Sequence, residues 1–97
     1  MSDHTLHIRI TDARGDTREV YARAVRLDYG CGCLHLMAGH SPYCRAFTFG
    51  IAEIELPHET LRLAIRNGSA RLAQDSLHLI CESAIETDAE PQADGSV

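Results

Sequence analysis

The stretch Leu6-His7-Ile8-Arg9-Ile10 sets aliphatic side chains at every second position, with polar side chains between them. Successive side chains of a β-strand point to opposite faces, so this pattern predicts a strand with one buried and one solvated face. The same period of two recurs at residues 34–36, 61–66 and 77–81. Alternation, rather than helical spacing, therefore dominates the chain.

Residues typical of turns separate these alternating segments. Asp12-Ala13-Arg14-Gly15-Asp16 follows the first segment, Pro57-His58-Glu59 precedes residues 61–66, and Gln74-Asp75-Ser76 precedes the last. Short alternating segments with regular turn signals and no long helical period are typical of sandwiches and barrels. We therefore expect an all-β fold, a two-layer sandwich or flattened barrel of about seven to ten short, mostly antiparallel strands.

Glycines are expected to divide the middle of the chain. Gly50 is predicted to open a strand, and Asn67-Gly68 is predicted to punctuate the segment that follows. We interpret Gly39 and Gly68 as residues that relieve backbone sterics at turns, because glycine adopts conformations closed to other residues.

The composition indicates one small domain. A chain of 97 residues has room for one modest core, and with 5% aromatic residues and no Trp that core must be aliphatic. All nine basic residues are arginine, against fourteen acidic residues, which gives a formal net charge of −5. Because binding to nucleic acid needs a concentrated positive face, this balance disfavours such a partner.

The C-terminal end differs in composition from the rest. Its charged residues are all acidic, namely Glu82, Glu86, Asp88, Glu90 and Asp94. Residues 87–97 show no apolar period and include Pro91 and Gly95. We expect a β-sandwich domain over residues 1–86 and a disordered acidic tail over residues 87–97.

Two signals for membranes and export are missing from the sequence. No apolar run approaches the roughly 20 residues that a spanning helix needs, which predicts no direct membrane insertion. The start, Met1-Ser2-Asp3-His4-Thr5, has no basic region followed by an apolar one. A cytoplasmic location is therefore expected, where the cysteines would be mostly reduced thiols.

Thiols and imidazoles, the ligands that zinc prefers, fall together in one short segment. They belong to Cys31, Cys33, His35, His40 and Cys44. One alternative function is therefore a small metal-binding or redox module on a β-sandwich. The spacing favours structural cysteines and no metal site, because the Cys-x-Cys pair of Cys31 and Cys33 is not accompanied by a second cysteine pair of the Cys-x-x-Cys type. Cys44 and Cys81 are interpreted as small buried hydrophobes.

Catalytic patterns are weak. His78 with Asp75 and Ser76 suggests a triad, but the three lie within four residues of one hairpin, which is poor geometry for that chemistry. Glu53 and Glu55 are interpreted as a solvated strand face. No phosphate-binding glycine loop is present and there is no Lys, so we expect no cofactor and no nucleotide hydrolysis by this chain.

The segment Gly32-Cys33-Leu34-His35-Leu36-Met37-Ala38-Gly39-His40-Ser41-Pro42 resembles a family signature, a Gly-x-Leu-x-Ile stretch running into Gly-His-x-Pro. The family is the epsilon subunit of F-type ATP synthases, and the resemblance is to its N-terminal β-sandwich domain. Three further segments are similar in the same order: the strand entry at Gly50, the hairpin around Gly68 and the closing strand over residues 77–84.

This resemblance implies a non-catalytic rotor subunit of the central stalk. Such a domain links the gamma subunit to the c ring and couples proton flow to ATP synthesis, as a peripheral protein at the cytoplasmic face of the membrane. The matching gamma interface is Gly39, His40, Ser41 and Pro42. The matching c-ring interface is Asp28, Tyr29, Gly30, Cys31, Gly32 and Cys33. A divergent stand-alone epsilon paralogue is a second possibility under the same resemblance.

The family's C-terminal pair of helices has no counterpart before Val97. Those helices carry ATP sensing and inhibition of hydrolysis in related proteins. If these 97 residues are the whole protein, the resemblance implies that this regulatory activity is missing.

Overall fold

The computed structural model describes residues 5–30 and 32–87, and within them the chain forms eight strands and no helix. The strands are β1 (Leu6–Thr11), β2 (Thr17–Ala22), β3 (Ala24–Asp28), β4 (Cys33–Met37), β5 (Tyr43–Glu55), β6 (Thr60–Ala73), β7 (Ser76–Ile80) and β8 (Ser83–Glu86). The prediction of an all-β fold is confirmed. The predicted tail lies outside the described residues except for Thr87, whose amide still donates to the carbonyl of Arg62 at 3.0 Å.

The strands are hydrogen-bonded in the order β2-β1-β7-β6-β5-β3-β4, and β8 pairs with β6 beside β7. Pairing is antiparallel except between β1 and β7, which are parallel. The long strands β5 and β6 each contribute to two layers. Layer A contains β2, β1, β7 and residues 68–73 and 43–47. Layer B contains β8, residues 60–66 and 49–55, β3 and β4.

The turn from one layer to the other lies inside β5 and β6. The ladder pairs Phe47 with Gly68 and Phe49 with Arg66, and no pair is formed between these two steps. Asn67 adopts a left-handed conformation there, with φ of 46°. Gly50 and Gly68 therefore lie within continuous strands of 13 and 14 residues, rather than at a strand start and a break.

The reason for glycine at position 68 is packing. A Cβ at Gly68 would lie 2.9 Å from Cζ of Phe47, and a Cβ at Gly50 would lie 3.2 Å from Cε2 of the same ring. The Phe47 ring thus fills the inside of the bend, in space that both glycines leave open. The turn interpretation holds for Gly39, with φ of +89°, but not for Gly68.

One aliphatic core lies between the layers. The buried side chains alternate along each strand, as in Leu6, Ile8 and Ile10 of β1 and Val25 and Leu27 of β3. Within the described residues no polar or charged residue is buried. The two layers also meet at an open seam between β2 and β8. There Nη2 of Arg18 lies 3.1 Å from Oε2 of Glu86.

Candidate functional site

The turn between β3 and β4 carries the residues that the resemblance to the epsilon family implies for a c-ring interface. Asp28 and Cys33 are cross-strand partners, and the amide of Tyr29 donates to the carbonyl of Gly32 at 3.1 Å. Oδ1 of Asp28 accepts from the amide of Gly30, whose φ of +96° suits glycine. Cys31 lies outside the described residues. The carboxylate of Asp28 therefore shapes this turn as well as giving it a charge.

Tyr29 holds the turn against the body of the domain. Its half-buried ring packs on the core, and the guanidinium carbon of Arg45 lies 4.3 Å from the ring centroid. Arg45 belongs to layer A and the turn belongs to layer B, so this cation–π contact joins the layers. A Cβ at Gly32 would lie 2.9 Å from the Tyr29 hydroxyl, so glycine leaves room for the ring.

Cys33 is exposed at the end of the turn. Its sulfur accepts a hydrogen bond of 3.3 Å from Nε of Arg26 on the neighbouring strand. This hydrogen bond raises the pKa of Arg26, which stays positively charged. The turn region therefore presents a thiol, a guanidinium and the half-buried Asp28 to solvent.

The loop between β4 and β5 carries the residues that the resemblance to the epsilon family implies for a gamma interface. The amide of His40 donates to the carbonyl of Met37 at 3.1 Å, which makes a tight turn around Gly39. The amide of Gly39 donates to Oδ1 of Asp75 at 2.7 Å. Asp75 lies in the β6–β7 turn, so two chain segments that are distant in sequence present one surface.

His40 is half-buried and oriented from two sides. Its Nδ1 lies 2.7 Å from the carbonyl oxygen of Ser41. A carbonyl can only accept, so Nδ1 carries the proton and Nε2 is the nitrogen available to a partner. The rings of His40 and Tyr43 also meet edge to face, with centroids 6.3 Å apart. The exposed residues of this loop are Gly39, Ser41 and Pro42.

The two predicted interfaces lie at opposite ends of β4. This strand has five residues, which corresponds to about 13 Å at about 3.3 Å per residue. The structure brings each set together internally and keeps the two sets apart. The sequence did not indicate Asp75 or Arg45 as their supports. The residue type at position 75 was a weak indication of a turn, because aspartate tolerates the left-handed conformation. Asp75 has that conformation in the structure, with φ of 62°.

The cysteines do not support the metal hypothesis in the described part of the chain. Cys33 is exposed on layer B and Cys44 is exposed on layer A, whereas Cys81 is buried between the two layers. Residues 5–30 and 32–87 contain no group of three His, Cys, Asp or Glu side chains that could hold a metal ion. The interpretation of Cys44 as a buried hydrophobe is wrong, because this side chain points outward from an edge strand; for Cys81 it is confirmed.

The suggested triad is not assembled. Nε2 of His78 lies 3.1 Å from Oγ1 of Thr11, and Oδ1 of Asp75 bonds to Gly39 instead. Glu53 is not simply a solvated acid, since Nη2 of Arg62 lies 2.9 Å from its Oε2.

A depression of about 600 Å³ lies on the outer face of layer B. It is open to solvent, and Ala24, Arg26, His35, Glu53, Glu55 and Thr60 line it. Among these lining side chains, no nucleophile is hydrogen-bonded to a general base. The described part of the chain also holds no helix long and apolar enough to cross a membrane.

Comparison with solved structures finds chains of similar fold. No family model and no curated protein matches this chain. A chain in the cryo-EM structure of the Euglena gracilis mitochondrial ATP synthase (OSCP/F1/c-ring, rotational state 1) is similar, with a TM-score of 0.78 and 16% identity. The match covers 89% of this chain and 56% of that chain. This chain therefore spans little more than half the length of the chain that it matches.

Proposed function

We propose that this chain is a non-catalytic, epsilon-like subunit in the central stalk of a proton-translocating F-type ATP synthase. The observation that carries the proposal is the likeness of its fold, over 89% of the chain, to a chain of an ATP synthase structure. The Gly39-His40-Ser41-Pro42 segment supports the proposal independently, because it resembles the epsilon signature and folds into one braced, solvent-facing loop.

A rotor subunit must hold two partners and transmit torque between them, so it must be stiff. Close-packed interiors deform little. Here the strands β5 and β6 run through both layers, and the Tyr29–Arg45 contact joins the layers again at the β3–β4 turn. A load applied at either loop would therefore pass through continuous strands and packed side chains.

In this proposal the loop of Gly39 to Pro42 lies on the gamma subunit. Its amide bond to Asp75 and the contacts of His40 fix the loop before it meets a partner. Preorganisation of this kind lowers the entropy cost of binding. Nε2 of His40 is then the polar group best placed for a directional hydrogen bond to gamma.

The β3–β4 turn would lie on the c ring, at the cytoplasmic face of the membrane. Its backbone is fixed by Asp28 and Tyr29, and it presents Gly30 and Cys33 to solvent. The small turn would make a peripheral contact, and the rotor would then couple proton flow to ATP synthesis through gamma.

The direct test is reconstitution with the gamma subunit of the same organism. Purified chain and gamma are mixed at micromolar concentrations and separated by size-exclusion chromatography with light scattering. A complex with one copy of each is expected. A matched variant, His40→Ala with Pro42→Ala, should weaken it while the isolated chain keeps its thermal stability. Absence of any complex between the wild-type chain and gamma would contradict the proposal.

A further inference from the structure

The outer face of layer A carries a row of basic side chains drawn from three strands. Arg9 of β1 pairs in register with His78 of β7, and His78 pairs in register with Arg71 of β6. Neighbouring strands lie about 4.8 Å apart, so the Cα atoms of Arg9 and Arg71 are about 10 Å apart. Both arginines are exposed, and their strand neighbours Ile8 and Leu72 point into the core.

These two guanidinium groups differ from most others in the molecule. Within residues 5–30 and 32–87, neither Arg9 nor Arg71 makes a side-chain hydrogen bond or an ion pair. The arginines that contact another side chain are Arg14, Arg18, Arg26, Arg45 and Arg62. Neither guanidinium therefore has an acidic side chain in contact with it within the described chain, although Glu19 is the cross-strand partner of Arg9.

Charge is segregated on this face. The whole chain has a net charge of −5, yet Glu19 is the one acid on the outward side of the described layer A strands. The carboxylate of Glu19 is bonded to His7, whose Nε2 lies 2.9 Å away. Histidines are neutral or positive, so the face keeps a positive balance whatever their protonation.

The row continues into the loop of Gly39 to Pro42. Arg71 and His78 lie on the two strands joined by the turn that contains Asp75, and Asp75 binds the amide of Gly39. His78 is three residues from Asp75, a distance of about 10 Å along an extended strand. A partner seated on the loop would thus reach the row without leaving this side of the domain.

We infer that the Arg9–His78–Arg71 row is an electrostatic docking surface for acidic side chains on the gamma subunit. This inference rests on the proposed function and adds the chemistry of the partner surface. Guanidinium groups bind carboxylates through paired hydrogen bonds, and exposed complementary charges act mainly on the association rate and its salt dependence. The loop supplies position, and the row supplies attraction and orientation.

The test compares two double variants with the same change of net charge. Arg9→Glu with Arg71→Glu reverses the row, whereas Arg23→Glu with Arg66→Glu reverses two exposed arginines outside it. Binding to gamma is measured by surface-based kinetics in about 50 mM and about 500 mM NaCl, because salt screens exposed charges. The row variant should lose about tenfold or more in affinity at low salt, mostly through slower association, and much less at high salt.

The outcomes separate this inference from the proposed function. Failure of the wild-type chain to bind gamma would contradict both. Wild-type binding with an equal loss in both double variants would overturn only the docking row, since net charge alone would then explain the effect. The milder variant Arg9→Gln with Arg71→Gln avoids placing two glutamates opposite each other at positions 9 and 19. It should show a smaller loss in the same direction, and an unchanged affinity would overturn the inference.

Discussion

The amide of Gly39 donates a hydrogen bond of 2.7 Å to Oδ1 of Asp75, across 36 positions of sequence. The backbone carbonyl of Asp75 in turn accepts from the amide of His7 at 2.9 Å. One residue of the β6–β7 turn therefore connects the β4–β5 loop to β1. The proposed gamma-binding loop owes its position to this tertiary contact as well as to its own sequence.

Loss of the Asp75 carboxylate is expected to release this loop. Asp75→Gly removes the acceptor but suits the left-handed backbone at this position, whereas Asp75→Asn keeps both an acceptor and that conformation. For the glycine variant we expect a cost of about 1 kcal/mol and roughly tenfold faster hydrogen exchange at the Gly39 amide. The asparagine variant should stay close to wild type. NMR-detected exchange measures both, and equal rates in all three proteins would contradict the assignment.

The bend through β5 and β6 predicts a cost for any side chain at position 68. Gly68→Ala places a methyl group against the Phe47 ring, and overpacking of this kind costs about 1–3 kcal/mol. Ser69→Ala, on the outward side of the same strand, should cost less than about 0.5 kcal/mol. Urea denaturation measures both free energies. Relief of the Gly68→Ala cost by Phe47→Leu in a double variant would confirm the contact, and strict additivity would argue against it.

Glu53 and Glu86 each form an ion pair with an arginine at a similar distance, 2.9 and 3.1 Å, but they should differ in their contribution to stability. The side chains of Arg62 and Glu53 are 28% and 21% exposed, whereas those of Arg18 and Glu86 are 48% and 63% exposed. We expect Glu53→Gln to destabilise by about 1–2 kcal/mol, because solvent screens the half-buried pair less. Glu86→Gln should cost at most about 0.5 kcal/mol. Equal costs in chemical denaturation at neutral pH would show that burial does not separate these pairs.

The buried thiol predicts a loss of stability at alkaline pH. Burial raises the pKa of the Cys81 thiol, and the charge of Asp12 adds to the effect. The Cys81 thiol then ionises at a lower pH in the unfolded chain than in the folded chain. The free energy of unfolding is therefore unaffected by this group below the unfolded pKa of about 8.5, and it decreases as pH rises above that value. The urea midpoint should fall more steeply with pH in wild type than in Cys81→Ala. Parallel pH profiles would rule out this linkage.

The sequence predicted the strand pattern but not the two long strands. From the sequence alone, Gly50 and Asn67-Gly68 are typical of positions where a strand begins or is interrupted. Their physical role is a bend, where Phe47 fills space between glycines on two strands. That requirement comes from packing across a strand pair, so local patterns did not indicate it.

The candidate site was predictable to a similar degree. The interpretation of Gly39 as a turn residue is confirmed, since its φ is +89° and the amide of His40 donates to the carbonyl of Met37 across it. Its anchor Asp75 and the row of Arg9, His78 and Arg71 come from separate strands. Their proximity depends on the parallel pairing of β1 with β7, which alternation alone does not specify.

The most direct test of the proposed stalk position uses Cys33 and Cys44, which are exposed on layers B and A. One variant keeps only Cys33 and another keeps only Cys44, with the other cysteines replaced by serine, and each carries a thiol-linked photocross-linker in the assembled synthase. Mass spectrometry should identify the c subunit joined at Cys33, next to the β3–β4 turn, and the gamma subunit joined at Cys44, two residues after Pro42. Products with neither subunit, or the same products from both positions, would contradict the assignment.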